Sequence, residues 1–173
     1  GVNQTQANSV APILISEEQG RHKSTFCRML MPPQLARYYS DNLKLTAQGN
    51  PERLLAEMGL LNMDEFDKFG AQKMPLLKNL MQMSSLNICK AYQKNFRSLP
   101  RIASFIGTSN RTDLLCDPTG SRRFICIEAE HDIDCTGIEH SQIYAQLKEE
   151  LLAGARHWFN KEEEHALQCH NMA

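Results

Sequence analysis

The sequence lacks the features that mark several large classes of protein. Its six cysteines form no C-x-x-C pair and no spacing typical of a disulfide framework. It has no signal peptide and no long apolar run, so we expect no membrane partner and a reducing, cytoplasmic setting. The net charge is only −1, so any surface that binds nucleic acid must be local.

What the sequence does contain is typical of one soluble globular domain. Its 173 residues are 42% hydrophobic and 23% charged, and they show no internal repeat. Residues 1–9 are polar and aperiodic, which predicts a disordered lead-in before a single domain at 10–173. Because the chain opens on Gly1 rather than Met, we expect it to be a fragment of a longer protein.

Short apolar runs alternate with amphipathic segments along the chain. We predict strands at 10–15, 37–40, 60–63, 102–107 and 123–127, helices at 23–30, 51–58, 75–84 and 140–159, and a hairpin at 88–100. Pro12 is expected to bound the first strand, and Asn50 to cap the second helix ahead of Pro51. This alternation predicts an α/β fold, a mostly parallel sheet flanked by helices.

The first strand leads into a polar turn that is typical of a phosphate-binding loop. Lys23 would reach the phosphates of a nucleotide and the Ser24 hydroxyl would ligate Mg²⁺. Glu17 and His22 replace the two glycines of the usual pattern, while Gly20 lies inside the loop. A left-handed backbone at His22 would be strained, and taken alone the stretch is equally consistent with an ordinary strand–loop–helix.

Further polar residues lie at the edges of other predicted strands. Asp64 and Glu65 follow the strand at 60–63 as in a Walker B motif, the first for Mg²⁺ and the second to polarise the attacking water. Asn110 follows the 102–107 strand as a sensor would, and Arg122 and Arg123 could supply charge to a phosphoryl transition state. Each of these residues has an ordinary alternative role in a turn, a cap or a solvent-exposed surface, but together they favour a P-loop NTPase fold.

Several motifs make the sequence recognisable. They are Gln-Gly-Arg-His-Lys-Ser-Thr-Phe at 19–26, Leu-Met-Pro-Pro at 30–33, Met-Asp-Glu-Phe-Asp at 63–67, Gly-Thr-Ser-Asn at 107–110 and Asp-Pro-Thr-Gly-Ser-Arg-Arg-Phe at 117–124. With them, residues 10–168 resemble the virulence-associated protein E family. The ATPase domain of that family is similar to AAA+ superfamily 3 helicases and to poxvirus-type primase–helicases.

The resemblance implies an ATP-hydrolysing, helicase-like motor with Mg²⁺, acting in DNA replication of a prophage or mobile element. Its partners would be single-stranded or forked DNA and further copies of the chain in a ring, with a possible primase domain outside this fragment. The implied nucleotide contacts are Gln19, Gly20, Arg21, His22, Lys23, Ser24 and Thr25, with Ser24 and Asp64 on Mg²⁺ and Glu65, Asn110, Arg122 and Arg123 as catalytic groups.

Two questions stay open from the sequence. The first is whether the altered loop still supports hydrolysis, because the same fold would also serve as a non-hydrolysing DNA-binding or scaffold module. The second is which of Arg122 and Arg123 is the arginine finger.

A basic and aromatic stretch lies between the acids and the asparagine. Its predicted DNA contacts, where such helicases carry a hairpin, are Lys90, Tyr92, Lys94, Phe96 and Arg97. The alternative is a solvated hairpin whose two aromatic side chains pack inward, and the sequence does not decide between the two.

Overall fold

The computed structural model of the chain describes residues 8–89, 96–111 and 122–171. The strands are β1 Ala11–Ile15, β2 Tyr39–Ser40, β3 Leu60–Met63, β4 Ser85–Cys89, β5 Phe96–Pro100, β6 Ser104–Ser109 and β7 Phe124–Glu128. The α-helices are α1 Lys23–Met29, α2 Pro51–Glu57, α3 Met74–Gln82, α4 His140–Leu152 and α5 Lys161–His170. Of the predicted lead-in, residues 1–7 lie outside the described part.

Five of these strands form one sheet in the order β2-β3-β6-β1-β7, and each neighbouring pair is parallel. The predicted mixed α/β fold with a mostly parallel sheet is therefore confirmed. Since β6 lies between β1 and β3, the segments that follow these three strands meet at one edge. Gly107 permits the close packing of β6, because a Cβ there would lie 2.6 Å from Cδ1 of Ile13.

The sheet is covered by apolar side chains on both faces. The larger cluster joins the sheet to α2 and α3, and Phe66 and Phe124 pack within it with ring centroids 4.9 Å apart. The smaller cluster lies under α1, where Leu14, Ile106 and the fully buried Cys27 meet. Burial raises the pKa of Cys27 to about 12, so this thiol is a neutral part of the core. The two clusters fix the sheet between its helices.

The long helix predicted at 140–159 is wrong in extent. Helix α4 ends at Leu152, and Gly154 then takes a left-handed backbone with φ of 89°. A separate helix, α5, begins after Asn160, whose side chain accepts from the N–H of Glu163 at 2.8 Å in a capping box. The apolar periodicity continued across the break, which is why the sequence did not reveal it. Within the described residues, no helix combines the length and apolar character needed to cross a membrane.

Smaller differences lie at element boundaries. Pro12 is inside β1 rather than at its boundary, and the strand predicted at 37–40 is only Tyr39–Ser40 after a 3-10 helix. Asn50 stands at the N-cap position of α2 but makes no capping side-chain hydrogen bond. Strand β6 begins at Ser104 because the N–H groups of residues 102 and 103 both bond to the Leu55 carbonyl instead.

The predicted hairpin is present as the antiparallel pair β4–β5, in which Ser85 faces Pro100. Its tip, 90–95, lies outside the described residues. Arg101 holds the base of the hairpin: it is 8% exposed and donates to the Leu80 and Met81 carbonyls at 3.4 and 2.6 Å, near the end of α3. The guanidinium thereby supplies a donor to the Met81 carbonyl in the last turn of the helix and a second donor to the Leu80 carbonyl, which also accepts from Met83 N–H at 3.3 Å.

Candidate functional site

A cleft of about 340 Å³ lies at the carboxyl edge of the parallel sheet. It is lined by Gln19, Gly20, Arg21, His22, Lys23, Ser24, Thr25, Asp64, Glu65, Thr108 and Asn110. The structure thus brings together every predicted residue of the loop, both acids and the asparagine. Open α/β sheets bind ligands at this edge, so the position of the cleft is that of a binding site.

Lys23 lies at the bottom of the cleft and is only 7% exposed. Its ammonium donates to Ser16 Oγ at 2.6 Å, to Asn110 Oδ1 at 3.0 Å and to the Glu18 carbonyl at 3.4 Å. All three acceptors are neutral, and no ion pair of Lys23 is found in the described part of the chain. Burial lowers the pKa of Lys23 and the charge of Arg21 lowers it further, whereas the nearby carboxylates of Asp64 and Asp67 act in the opposite direction without reversing the shift. An anion in the cleft would compensate this buried charge.

Ser16 is a part of the site that the sequence did not identify. Its hydroxyl is 3% exposed, accepts from Lys23 and donates to the Glu18 carbonyl at 2.7 Å. It therefore links the end of β1 to the lysine and to the turn. The only sequence signal was a polar residue directly after an apolar run.

Two hydroxyl groups and one carboxyl group meet in the same cleft. Ser24 Oγ donates to Asp64 Oδ1 at 2.6 Å, and Thr108 Oγ1 donates to the same oxygen at 2.7 Å. Thr108 also accepts from the backbone N–H of Glu65 at 3.2 Å, so one side chain positions both acids. Carboxylate and hydroxyl oxygens are hard ligands, and Ser24 with Asp64 could hold a cation such as Mg²⁺. The sequence alone gave no sign of this role of Thr108.

Glu65 lines the same cleft from a left-handed backbone with φ of 51°. Its carboxylate pairs with Lys68 at 2.6 Å, and both side chains are more than half exposed. An exposed pair of this kind contributes little to stability, because water and salt screen the attraction between the two charges. The carboxylate is therefore held toward Lys68 by an interaction that is easily exchanged for another.

The loop adopts left-handed backbone at two positions. Gly20 has φ of 86° and His22 has φ of 60° with ψ of 20°. The left-handed conformation expected at His22 is thus confirmed. A non-glycine residue held there costs roughly 1–3 kcal/mol, so surrounding contacts must stabilise the loop.

Arg122 and Arg123 do not join the cleft. The backbone carbonyl of Arg123 accepts from Ala11 N–H at 2.8 Å, at the start of β1 rather than at its end. This places both arginines at the amino edge of the sheet. The length of β1, about 13 Å at the rise of a parallel strand, separates that edge from the start of the loop. Arg122 lies 3.5 Å from the carboxylate of Glu164, beside a second cavity of about 590 Å³ that Trp158 also lines.

The predicted DNA contacts are placed only in part. Lys90, Tyr92 and Lys94 lie outside the described residues. Phe96 and Arg97 belong to β5, where they pair with Cys89 and Ile88. The structure therefore confirms a hairpin at this position and leaves its contacts as predictions.

Comparison with known proteins gives a family and a set of similar structures. The family model for the virulence-associated protein E-like domain matches residues 5–173. Two A-form apo structures of the NrS-1 C-terminal region share 22% and 21% identity with TM-scores of 0.51 and 0.52, each covering 94% of this chain. A further apo structure of that region has 19% identity and a TM-score of 0.54 over 95% of this chain.

At these identities the likeness to the NrS-1 structures shows the fold alone. The chain covers 33%, 34% and 43% of their lengths, so it spans well under half of each of them. Comparison with curated proteins finds no match.

Proposed function

The chain belongs to the family of virulence-associated protein E-like domains, and from that premise we propose that it is a P-loop motor domain that binds and hydrolyses ATP with Mg²⁺. Its work would be helicase-like, on single-stranded or forked DNA during replication of a mobile element such as a prophage. The AAA+ and superfamily 3 character of the proposal comes from the resemblance of the motifs.

The observation that carries the proposal is the environment of Lys23. Lys23 is 7% exposed, and an ammonium whose hydrogen bonds all go to neutral oxygens is costly to bury. The cleft also contains hydroxyl and carboxylate groups, at Ser24 and Asp64. A phosphate chain carrying a divalent cation complements both halves of this arrangement.

The same residues fit Mg²⁺ on chemical grounds. Mg²⁺ usually takes one or two carboxylates and completes its shell with water and phosphate oxygens. In the ranges 8–89, 96–111 and 122–171, no group of three His, Cys, Asp or Glu could hold a metal ion without help. Ser24 and Asp64 would therefore share the ion with the nucleotide, whose developing charge the ion neutralises.

Two further side chains have distinct tasks in this proposal. The Oδ1 atom of Asn110 is occupied by Lys23, so its amide group is left to donate to a phosphate or to water. Glu65 would leave Lys68 and accept the proton of the attacking water. Thr108 keeps Glu65 and Asp64 in a common position through its hydroxyl.

The test is binding of Mg·ATP by calorimetry to the wild type and to Lys23→Ala. Removing one partner of a buried charge interaction costs at least about 2 kcal/mol, so the variant should bind roughly 30-fold more weakly or not at all. Lys148→Ala, on the exposed surface of α4, is the matched control and should bind as the wild type does. Equal affinity of Lys23→Ala and the wild type would contradict the proposal.

A second candidate function is the same fold without hydrolysis, as a DNA-binding or scaffold module. Two observations favour it: Glu65 is engaged by Lys68, and His22 stands where a glycine is usual. Such a module would bind Mg·ATP and show no turnover under any condition. Turnover, rather than binding, therefore separates the two candidates.

The β4–β5 hairpin is the proposed DNA contact. Its base leads through residues 101–103 into the amino end of β6, so the base lies at the edge of the sheet opposite the nucleotide cleft. This separation would let one domain hold nucleotide and DNA on opposite edges. Lys90, Lys94 and Arg97 would supply the charges for DNA phosphates.

Replacing Lys90, Lys94 and Arg97 together with Ala should weaken single-strand binding and flatten its salt dependence. The slope of log affinity against log salt should fall by about 0.7 per lost contact, or roughly 2 in total. Fluorescence anisotropy of a labelled oligonucleotide at several salt concentrations measures it.

The control for this series replaces two lysines and one arginine elsewhere, at Lys44, Lys148 and Arg37, which are exposed. It should leave the slope unchanged. An equal slope in the hairpin variant and the wild type would assign the hairpin to a purely structural role.

A further inference from the structure

The segment that follows β7 lies directly along the phosphate loop. Ala129 N–H donates to the Ile15 carbonyl at 2.7 Å, and Ile133 N–H donates to the Arg21 carbonyl at 3.3 Å. In the opposite direction, Arg21 Nη1 donates to the Glu130 carbonyl at 2.6 Å. Residues 129–135, which we call the strap, therefore contact the end of β1 and the middle of the loop that follows it.

Arg21 is the side chain through which this contact is made. Its side chain is 17% exposed, and its second guanidinium nitrogen pairs with Glu18 Oε2 at 2.8 Å. The guanidinium of Arg21, the residue that precedes His22, thus joins the strap to the front of the loop. The strap approaches His22 itself as well, since Cys135 Sγ lies 4.0 Å from its carbonyl oxygen.

The loop needs such support because it lacks glycine at its strained position. His22 is left-handed, with φ of 60°, where a residue carrying a Cβ prefers other conformations. A loop that was free to relax would populate the left-handed form only as a minor state. The apparent affinity for a ligand falls in proportion to the fraction of protein in the competent form.

We propose that Arg21 is a positioning residue: through its contacts with the strap and Glu18 it holds His22 in the left-handed conformation, which a glycine would adopt without such support. The guanidinium acts on the backbone of the loop and not on the nucleotide. The binding readout of this inference rests on the proposed function, whereas its effect on the empty loop does not.

The expected effects differ with the residue at position 22. With His22 present, Arg21→Ala should weaken Mg·ADP binding by about 5- to 30-fold, because the left-handed form loses its support. With His22→Gly, the same change should weaken binding by about twofold or less, since glycine takes that conformation readily. Arg53→Ala, which removes an exposed pair with Glu57 on α2, should have no effect.

The experiment is a double-mutant cycle of Arg21→Ala and His22→Gly, measured in two ways on the full chain. Calorimetry with Mg·ADP gives the affinities, and hydrogen exchange of the loop amides at 19–24 without nucleotide gives the stability of the loop. We expect faster exchange in Arg21→Ala and near wild-type exchange when His22→Gly is added. Thermal unfolding confirms that each variant is folded.

The outcomes are distinguishable. An equal loss of affinity in both backgrounds would mean that Arg21 contacts the nucleotide directly, and it would overturn the inference. Unchanged exchange at 19–24 in Arg21→Ala would overturn it as well. If the wild type binds no nucleotide, the proposed function fails, and the exchange data alone decide whether Arg21 holds the loop.

Discussion

Glu65→Gln should retain Mg·ATP and lose turnover by about 10²–10⁴-fold, the usual contribution of a general base. The carboxylate lines the cleft but pairs with Lys68, so we expect binding not to depend on it. Its backbone N–H bonds to Thr108, which keeps the glutamine variant in the same place. Phosphate release and calorimetry on one preparation measure turnover and affinity together.

Two comparisons make this result specific. Glu57→Gln alters an exposed glutamate on α2 that pairs with Arg53, and it should change neither quantity. Lys68→Ala releases Glu65 from its pair and should leave turnover equal or faster. A Glu65→Gln protein with wild-type turnover would remove Glu65 from the chemistry. No turnover in the wild type, with tight binding, would instead favour the non-hydrolysing module.

Much of the cleft follows from the sequence because a parallel sheet gathers the ends of its strands. Lys23, Asp64 and Asn110 each follow an apolar run, and the carboxyl ends of parallel strands share one edge. Local pattern is sufficient for that inference, and it does not require the order of the strands. The positions of the three side chains were therefore predictable before their contacts were.

The hydroxyl groups of the site were not predictable in the same way. Thr108 has its role only because β6 lies beside β3, and this order depends on long-range packing. Ser16 bonds to Lys23 and to the Glu18 carbonyl, so its role depends on how the loop after β1 folds back on itself. The predicted strand at 102–107 also ended two residues before Ser109, the true end of β6. Because Thr108 was expected to lie beyond the end of this strand, the partner of its hydroxyl could not be predicted.

The arginines show how strand direction decides the edge. Arg122 and Arg123 precede β7, and β7 runs parallel to β1 with Phe124 opposite Ala11. They are therefore at the amino edge, where the cleft of the same chain is out of reach. If either arginine acts on the nucleotide, it must act on that of another copy.

The last prediction follows from this geometry and concerns assembly. Arg122 pairs with Glu164 and Arg123 is partly buried, and both precede β7 at the edge of the sheet away from their own cleft. We expect the double change of both arginines to Ala to abolish turnover while Mg·ATP binding persists. An arginine finger is worth about 10³–10⁵ in rate because it neutralises charge that develops only in the transition state.

Mixing this double variant with Glu65→Gln tests whether the arginines act between copies. Each protein is inactive alone, but an interface that takes Glu65 from one and the arginines from the other is complete. Random pairing at equal amounts gives roughly a quarter of such interfaces in a head-to-tail ring, so turnover should return in part and depend on protein concentration. If cross-linking shows that the two variants co-assemble and no mixing ratio restores turnover, the arginines do not act across an interface. The interfaces that combine an intact Glu65 with intact arginines would then be inactive.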